Sequence, residues 1–212
     1  MAQHHDKIAH MEFSDVLSRR RMVRNYKDQP IEDDALARIA DAALRAPSAG
    51  NSRAIAVVVV TDERVRSDIA GLADEASYVA EGFDPWISRA PAHIVISVSE
   101  QVYRDRYSEP DKLGPSCEQI EWPIPYWWVD AGAAMMAVLL AVVDEGLAAG
   151  FLGVHSVPDL ASRLGFPADH IPIGVLTVGH PAEDRRSSSL DRPLLPRSAV
   201  IHRDRWRNRH PT

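Results

Sequence analysis

Val129-Asp-Ala-Gly-Ala-Ala-Met-Met-Ala-Val-Leu-Leu-Ala-Val-Val-Asp-Glu145 is apolar almost all round between carboxylates at either end. A helix without a polar stripe has no face for water, so this stretch reads as the buried central helix of a packed domain. Its unbroken apolar run, Ala131 to Val143, is thirteen residues, short of the roughly 20 that a bilayer span needs. Outward from this helix, the β-branched runs Ile55–Val60, His93–Val98 and Ile173–Val178 predict buried strands. Phe13, Val16 and Leu17 mark a short helix that runs into Arg19-Arg20-Arg21. Leu36, Ile39, Ala40, Ala43 and Leu44 mark a second, announced by Pro30, Asp33 and Asp34. A third falls around Arg64 to Ala73, followed by a poorly patterned stretch to Arg89. Ser156, Pro158 and Asp159 resemble a helix start. Helices and strands are interspersed with too few regular βαβ units for a doubly wound sheet, which makes the fold class α+β.

The chain has 212 residues, enough for one domain, 1–212, with a core that needs no disulfide or metal. Twenty-four Lys and Arg against thirty Asp and Glu give a net charge of −6. That balance argues against the basic field of a nucleic-acid binder. The single cysteine, Cys117, excludes an internal disulfide and a cysteine-based zinc site. The first ten residues contain no apolar run and read as a flexible N-terminus rather than a secretory signal, which points to a cytoplasmic protein. Tyr103 to Trp127, with Pro110, Pro115, Pro123 and Pro125 and a run of aromatics, reads as an irregular, lid-like excursion over a ligand site. Residues 181–212 read as an extended C-terminal tail.

Familiar catalytic signatures are missing. There is no GxGxxG after a strand, no P-loop, no HExxH and no GxSxG elbow. His4, His5 and His10 lie in the N-terminus, and His93 and His155 read as structural histidines. Cys117 has no His neighbour in sequence to activate it. Any hard chemistry therefore falls to a cofactor.

Three stretches remain. Arg19-Arg20-Arg21-Met22-Val23-Arg24-Asn25-Tyr26 sets four arginines within six positions of an acidic chain. Their planar forks suit a phosphate or a carbonyl-rich ring, although cations also complement a helix C-terminus. Ala46-Pro47-Ser48-Ala49-Gly50-Asn51-Ser52 is a small-residue turn that lets backbone approach a ligand, or is simply a helix stop. Gly150-Phe151-Leu152-Gly153-Val154 could offer a free N–H to a flat cofactor, or be a close-packed strand.

In this order the three stretches resemble the FMN-dependent nitroreductase family from about Phe13 to Arg192. The Asp130-Ala-Gly-Ala-Ala helix and Gly179-His180-Pro181 after a strand strengthen the likeness. Tyr126-Trp-Trp-Val-Asp and the Arg-Arg-Ser tail are similar to an actinobacterial-type branch. The resemblance implies a central mixed β-sheet surrounded by helices, and a homodimer with FMN at the interface. It also implies NAD(P)H as electron donor.

By motif position, Arg20 and the adjacent Arg21 correspond to the phosphate-binding arginines, with Met22 where many relatives carry Ser. Arg24 corresponds to the cation beside the flavin N1 and O2, and Ser48 and Asn51 to residues that reach the partner's FMN. Leu152 and Gly153 fall where a backbone N–H faces flavin N5. Arg192, or alternatively Arg186, corresponds to a late phosphate clamp, and Asp84 to an acceptor for flavin N3–H. Arg53-Ala54 replaces the common Gln-Pro. No residue is assigned as a catalytic acid.

The implied reaction is ping-pong hydride transfer through flavin N5 to a nitroaromatic, quinone-like or other electron-poor acceptor. Trp122, Tyr126, Trp127 and Trp128 either line its cleft or anchor a long loop. The alternatives are flavin destruction, reductive dehalogenation, or FMN sequestration without turnover.

Overall fold

The structure, a computed structural model, describes residues 11–113 and 120–206. The expectations for His4, His5, His10, Pro115, Cys117 and the last tail residues lie outside them. Four strands form one sheet in the order β1-β2-β4-β3: β1 (Ile55–Val60), β2 (Ala92–Val98), β3 (Ala148–Gly153) and β4 (Ile171–Gly179). All three strand pairings are antiparallel. The sheet is mixed only through a short parallel bridge between Met22 and Ala149. The α+β class holds, with helices on both faces. β3 is a strand that the glycines at 150 and 153 left open in the sequence.

Strand alternation divides the core. Val95, Val175, Ala148 and Leu152 pack with Ile69, Trp86 and Ile87 on one side. Ile94, Ile96, Leu176 and Val178 pack with Ile39, Val138 and Val142 on the other. The first layer holds α3 (Glu63–Leu72), α4 (Glu75–Ala80) and α5 (Trp86–Arg89). The last two lie in the stretch without clear periodicity, because helices of six and four residues are too short to show one. The second layer holds α2 (Asp33–Ala43) and the long helix α7 (Tyr126–Asp144), with α1 (Phe13–Arg19) lying against α7. Residue 160 opens α8 (Leu160–Arg163), directly after Asp159 in the left-handed region at φ 59°.

Three expectations need correction. The helix α7 has nineteen residues and starts at Tyr126, taking in aromatics assigned to the excursion. By length and composition it could cross a membrane. It instead packs on α2 and the sheet, and it is not buried all round. Trp127, Asp130, Ala131, Ala134, Val138 and Val142 face the core, whereas Val129 is 53% and Met136 45% exposed. Apolar composition thus describes two different faces, only one of which the single chain covers. The α1 face splits in the same way, with Val16 buried but Phe13 and Leu17 exposed. Finally, β1 is an edge strand and mostly half-buried.

His93 in β2 is fully buried, with Nε2 2.8 Å from the Ile87 carbonyl oxygen and Nδ1 without a partner. Burial pushes its pKa down to about 4. The folded state therefore binds this proton less readily than the unfolded chain, whose His titrates near 6.5. The associated stability is complete above pH 6.5 and lost as pH falls toward 4. We predict that wild type loses about 2 kcal/mol between pH 7.5 and 5 through this residue. In urea unfolding, His93→Leu should show a correspondingly shallower pH dependence over that window; equal slopes would refute the assignment.

Candidate functional site

After α1 the chain turns extended, with Arg20 at φ −59°, ψ 115°. The Val23 N–H donates to the Ala149 carbonyl at 2.9 Å, so the arginine segment lies along β3. Tyr26 anchors its far end. The buried phenol lies 2.8 Å from Thr177 Oγ1 and donates to the Val23 carbonyl at 2.8 Å. Burial pushes the phenol pKa well above its ordinary value, so it stays a donor. Extended backbone alternates sides: Val23 enters the core while Arg24 reaches a cavity of about 520 Å³.

Arg24, Trp86, Leu152, Gly153, His155 and Asp184 are among the residues lining that cavity. The Arg24 guanidinium sits 5.6 Å from the Trp86 ring centre, a cation–π distance. Its backbone N–H donates to Asp184 Oδ2 at 2.7 Å, which ties the C-terminal segment to the arginine segment. Arg185 lies 5.2 Å over Phe83, and Arg186 pairs with Asp191. The His155 imidazole rests on Gly153, where an added Cβ would lie 2.7 Å from two ring atoms.

The wall carrying Asp84 and Trp86 depends on three side chains that hold α5. Buried Glu75 accepts from the Ile87 N–H at 2.5 Å and the Ser88 N–H at 3.2 Å. Arg66 donates to the Ser88 and Ala90 carbonyls at 2.9 and 2.6 Å, and His93 meets the Ile87 carbonyl. Arg89 bridges Asn25 and Asp84 at 2.7 and 3.2 Å, joining this wall to the arginine segment.

The turn at 48–52 lies elsewhere, packed with α7. Asn51 and Arg53 adopt left-handed backbone at φ 56° and 53°, beside Gly50 at φ 62°. Ser48 Oγ accepts from the Arg53 N–H at 3.1 Å, and Asn51 Oδ1 accepts from Arg53 Nε at 3.1 Å. Within the turn both side chains act as acceptors, and each also carries a donor, the Ser48 hydroxyl and the Asn51 amide nitrogen.

Of the residues assigned to the site, Arg24, Leu152 and Gly153 line the one cavity, together with Asp84 and Arg186, the latter the alternative to Arg192. Arg21 lines a second cavity of about 390 Å³ with Arg19 and Val23. Arg20 is half-buried and Met22 exposed at the edge of β3; Arg192 is exposed on the tail. Neither cavity contains Arg20, Met22, Ser48, Asn51 or Arg192. Sequence reasoning missed Trp86, His155 and Asp184 as wall residues. Trp86 gave one usable signal, a large aromatic beside Asp84 and Pro85. The segment expected to cover the site begins within α6 (Glu100–Arg106), and among its described residues Trp122 and Trp127 pack against Tyr103 at centroid distances of 6.2 and 6.1 Å.

A layered α+β fold with a cavity lined by Arg24, Trp86 and the last residues of β3 has the features of a small-molecule or cofactor site. The model of the nitroreductase family matches residues 17–180, and the chain belongs to that family. It is 28% identical over 198 residues to the FMN reductase [NAD(P)H] of Bacillus subtilis, covering 91% of this chain and 73% of that one. The hypothetical oxidoreductase YcnD of Bacillus subtilis superposes with a TM-score of 0.70 at 26% identity, covering 93% and 76% of the two chains. The Vibrio harveyi NADPH:FMN oxidoreductase superposes with a TM-score of 0.69 at 20% identity, covering 93% and 79%, a likeness of fold. These matches carry the family and not the narrower actinobacterial-type branch.

Gly150 sets how closely the arginine segment approaches β3. A Cβ there would meet the Val23 carbonyl oxygen at 2.6 Å and Trp86 at 2.7 Å. Gly150→Ala should therefore cost about 1–3 kcal/mol, the usual scale of overpacking. Chemical denaturation checks this; an unchanged midpoint would mean that the segment yields freely.

Proposed function

We propose that the chain is an FMN-dependent NAD(P)H oxidoreductase that reduces nitroaromatic, quinone-like or other electron-poor planar acceptors by a ping-pong route, as a cytoplasmic homodimer. The observation that carries this reading is the convergence of Arg24, Leu152 and Gly153 on one cavity, from segments about 130 residues apart. Family membership supports the redox chemistry, as do relatives whose names specify FMN and NAD(P)H.

The residues present fit a flavin. The cavity is of cofactor size, has apolar walls at Trp86, Phe151 and Leu152, and offers a guanidinium and close backbone approach at Gly153. When bound, FMN supplies hydride transfer between nicotinamide and acceptor. Arg24 would supply fixed positive charge beside a bound flavin ring, an electrostatic role. Its position is set by Asp184 on the backbone and Trp86 beneath the guanidinium. Asp84 offers a carboxylate acceptor on the same wall, and Leu152 and Gly153 bring backbone to the ring edge. Arg20, with Arg21 beside it and Met22 following, holds the phosphate, assisted by Arg192 of the tail. Trp86, which is buried, would exclude water from the inner wall.

Ser48 and Asn51 act from the second subunit. Their donors lie with the α7 layer, whereas the cavity lies with the α5 layer. The open faces of α1 and α7 offer Phe13, Leu17, Val129 and Met136 for subunit contact.

The test is the visible spectrum of the purified protein, followed by anaerobic addition of NADH or NADPH. A flavin band that bleaches supports the reading and identifies the donor. A band that persists with both donors overturns the reductase assignment in favour of sequestration. A colourless protein that also refuses added FMN overturns the cofactor. Arg20→Ala should weaken FMN binding by about 1.5–3 kcal/mol, the scale of a lost charge-assisted hydrogen bond. Identical titrations of variant and wild type would place the phosphate elsewhere.

A further inference from the structure

Asp130 is the one acidic residue within the core-facing stripe of α7, and it is 7% exposed. A carboxylate in that setting is retained only if strong donors meet it. Two do, both at Oδ2: the Ala49 N–H at 2.7 Å and the Tyr103 hydroxyl at 2.6 Å. No ion pair to Asp130 occurs among the described residues. Tyr103 is fully buried, and burial together with the adjoining carboxylate pushes its pKa well above the ordinary phenol value. It therefore remains a proton donor to Asp130 across the accessible pH range.

The same turn is gripped from its other side. Arg106 Nε donates to the Gly50 carbonyl at 2.9 Å, and the Tyr107 ring occupies the space a Cβ on Gly50 would need, 2.6 Å from its nearest carbon. At and just beyond these holds lie Gly50, Asn51 and Arg53, all with positive φ. Asn51 tolerates such backbone, whereas the Arg53 side chain disfavours it. A short, mostly half-buried turn keeps that shape only when its surroundings impose it. In that shape Ser48 Oγ and Asn51 Oδ1 accept within the turn, and the donors these side chains also carry, a hydroxyl and an amide nitrogen, are of the kind that suits a ligand rich in carbonyl and hydroxyl oxygens.

We propose that Asp130 and Tyr103 are positioning residues that hold the Ser48–Asn51 turn in its donor-presenting shape for the flavin of the opposite subunit. This rests on the flavin reading above. The pair does not touch the flavin; it acts through the Ala49 N–H, between the two donating residues. Because Tyr103 belongs to α6 and stacks with Trp122 and Trp127, the same contact joins the aromatic segment to the cofactor-facing turn.

The test is fluorescence titration of the full-length apoprotein with FMN, beside thermal unfolding of each variant. Tyr103→Phe should raise the FMN Kd about tenfold while keeping the ring and its packing. Asp130→Ala should raise it further, and the double variant should be no worse than Asp130→Ala, because Tyr103 works through that carboxylate. Ile69→Val, in the opposite core layer, is the control for destabilisation alone and should leave the Kd within twofold. The visible circular dichroism of the bound flavin should change in Tyr103→Phe and not in the control. If Tyr103→Phe binds FMN within twofold of wild type, or the control loses as much affinity, the pair is merely structural and the proposal fails. A wild type that takes up no FMN overturns the flavin reading itself.

Discussion

The buried phenol of Tyr26 is the contact on which the rest of the site depends. It hydrogen-bonds both the arginine segment, at the Val23 carbonyl, and the sheet, at Thr177 of β4. Its ring also packs against Gly179, where a Cβ would lie 2.7 Å from it. Together with the Val23–Ala149 hydrogen bond, this fixes the segment's distance from β3 and the side on which each residue emerges. Arg24 reaches the cavity because Val23 is locked inward. A buried phenol that lost its partners would leave polar groups unsatisfied in an apolar core, which keeps the arrangement rigid. Rigid placement matters because a guanidinium acts electrostatically only where it is held before charge develops.

The cavity wall shows the same economy of means. The helix α5 has four residues and little cohesion of its own. Glu75 holds its N–H groups, His93 a carbonyl, and Arg66 the carbonyls at its end. One acidic, one neutral and one basic side chain satisfy backbone that no regular ladder reaches. A neutral His93 is part of that arrangement, since a proton on it would be unpaired charge inside the sheet layer.

The sequence was most informative where periodicity is long. The cores of β1, β2 and β4, the amphipathic α2 and the apolar α7 are all visible in residue pattern, because burial selects residue type directly. β3 was less visible, since Gly150 and Gly153 serve close approach of neighbours rather than strand propensity. The short helices α4 and α5 left no period, and Trp86 and Asp184 became wall residues only through long-range contacts. Arg24, Leu152 and Gly153 were legible as an ordered motif, and the structure brings them to one cavity. Exposure could not be read at all for α1 and α7. Phe13, Leu17, Val129 and Met136 look like core residues in sequence and lie open on the single chain.

Those open apolar positions bear on the divided site. The cavity belongs to the layer of α5, whereas the donor-presenting turn belongs to the layer of α7, with the sheet between them. One chain thus carries the cavity lined by Arg24, Arg185 and Arg186 on one side and the 48–52 turn on the other. The uncovered residues of α1 and α7 lie in the layer of the turn. Burying that apolar surface against a second copy would be favourable in itself, at roughly 25 cal/mol per Å². A two-fold arrangement would bring each turn to its partner's receptor, and would do so twice. Covering the open helix faces and completing the site would then be a single event, so that cofactor retention and subunit association would rise and fall together.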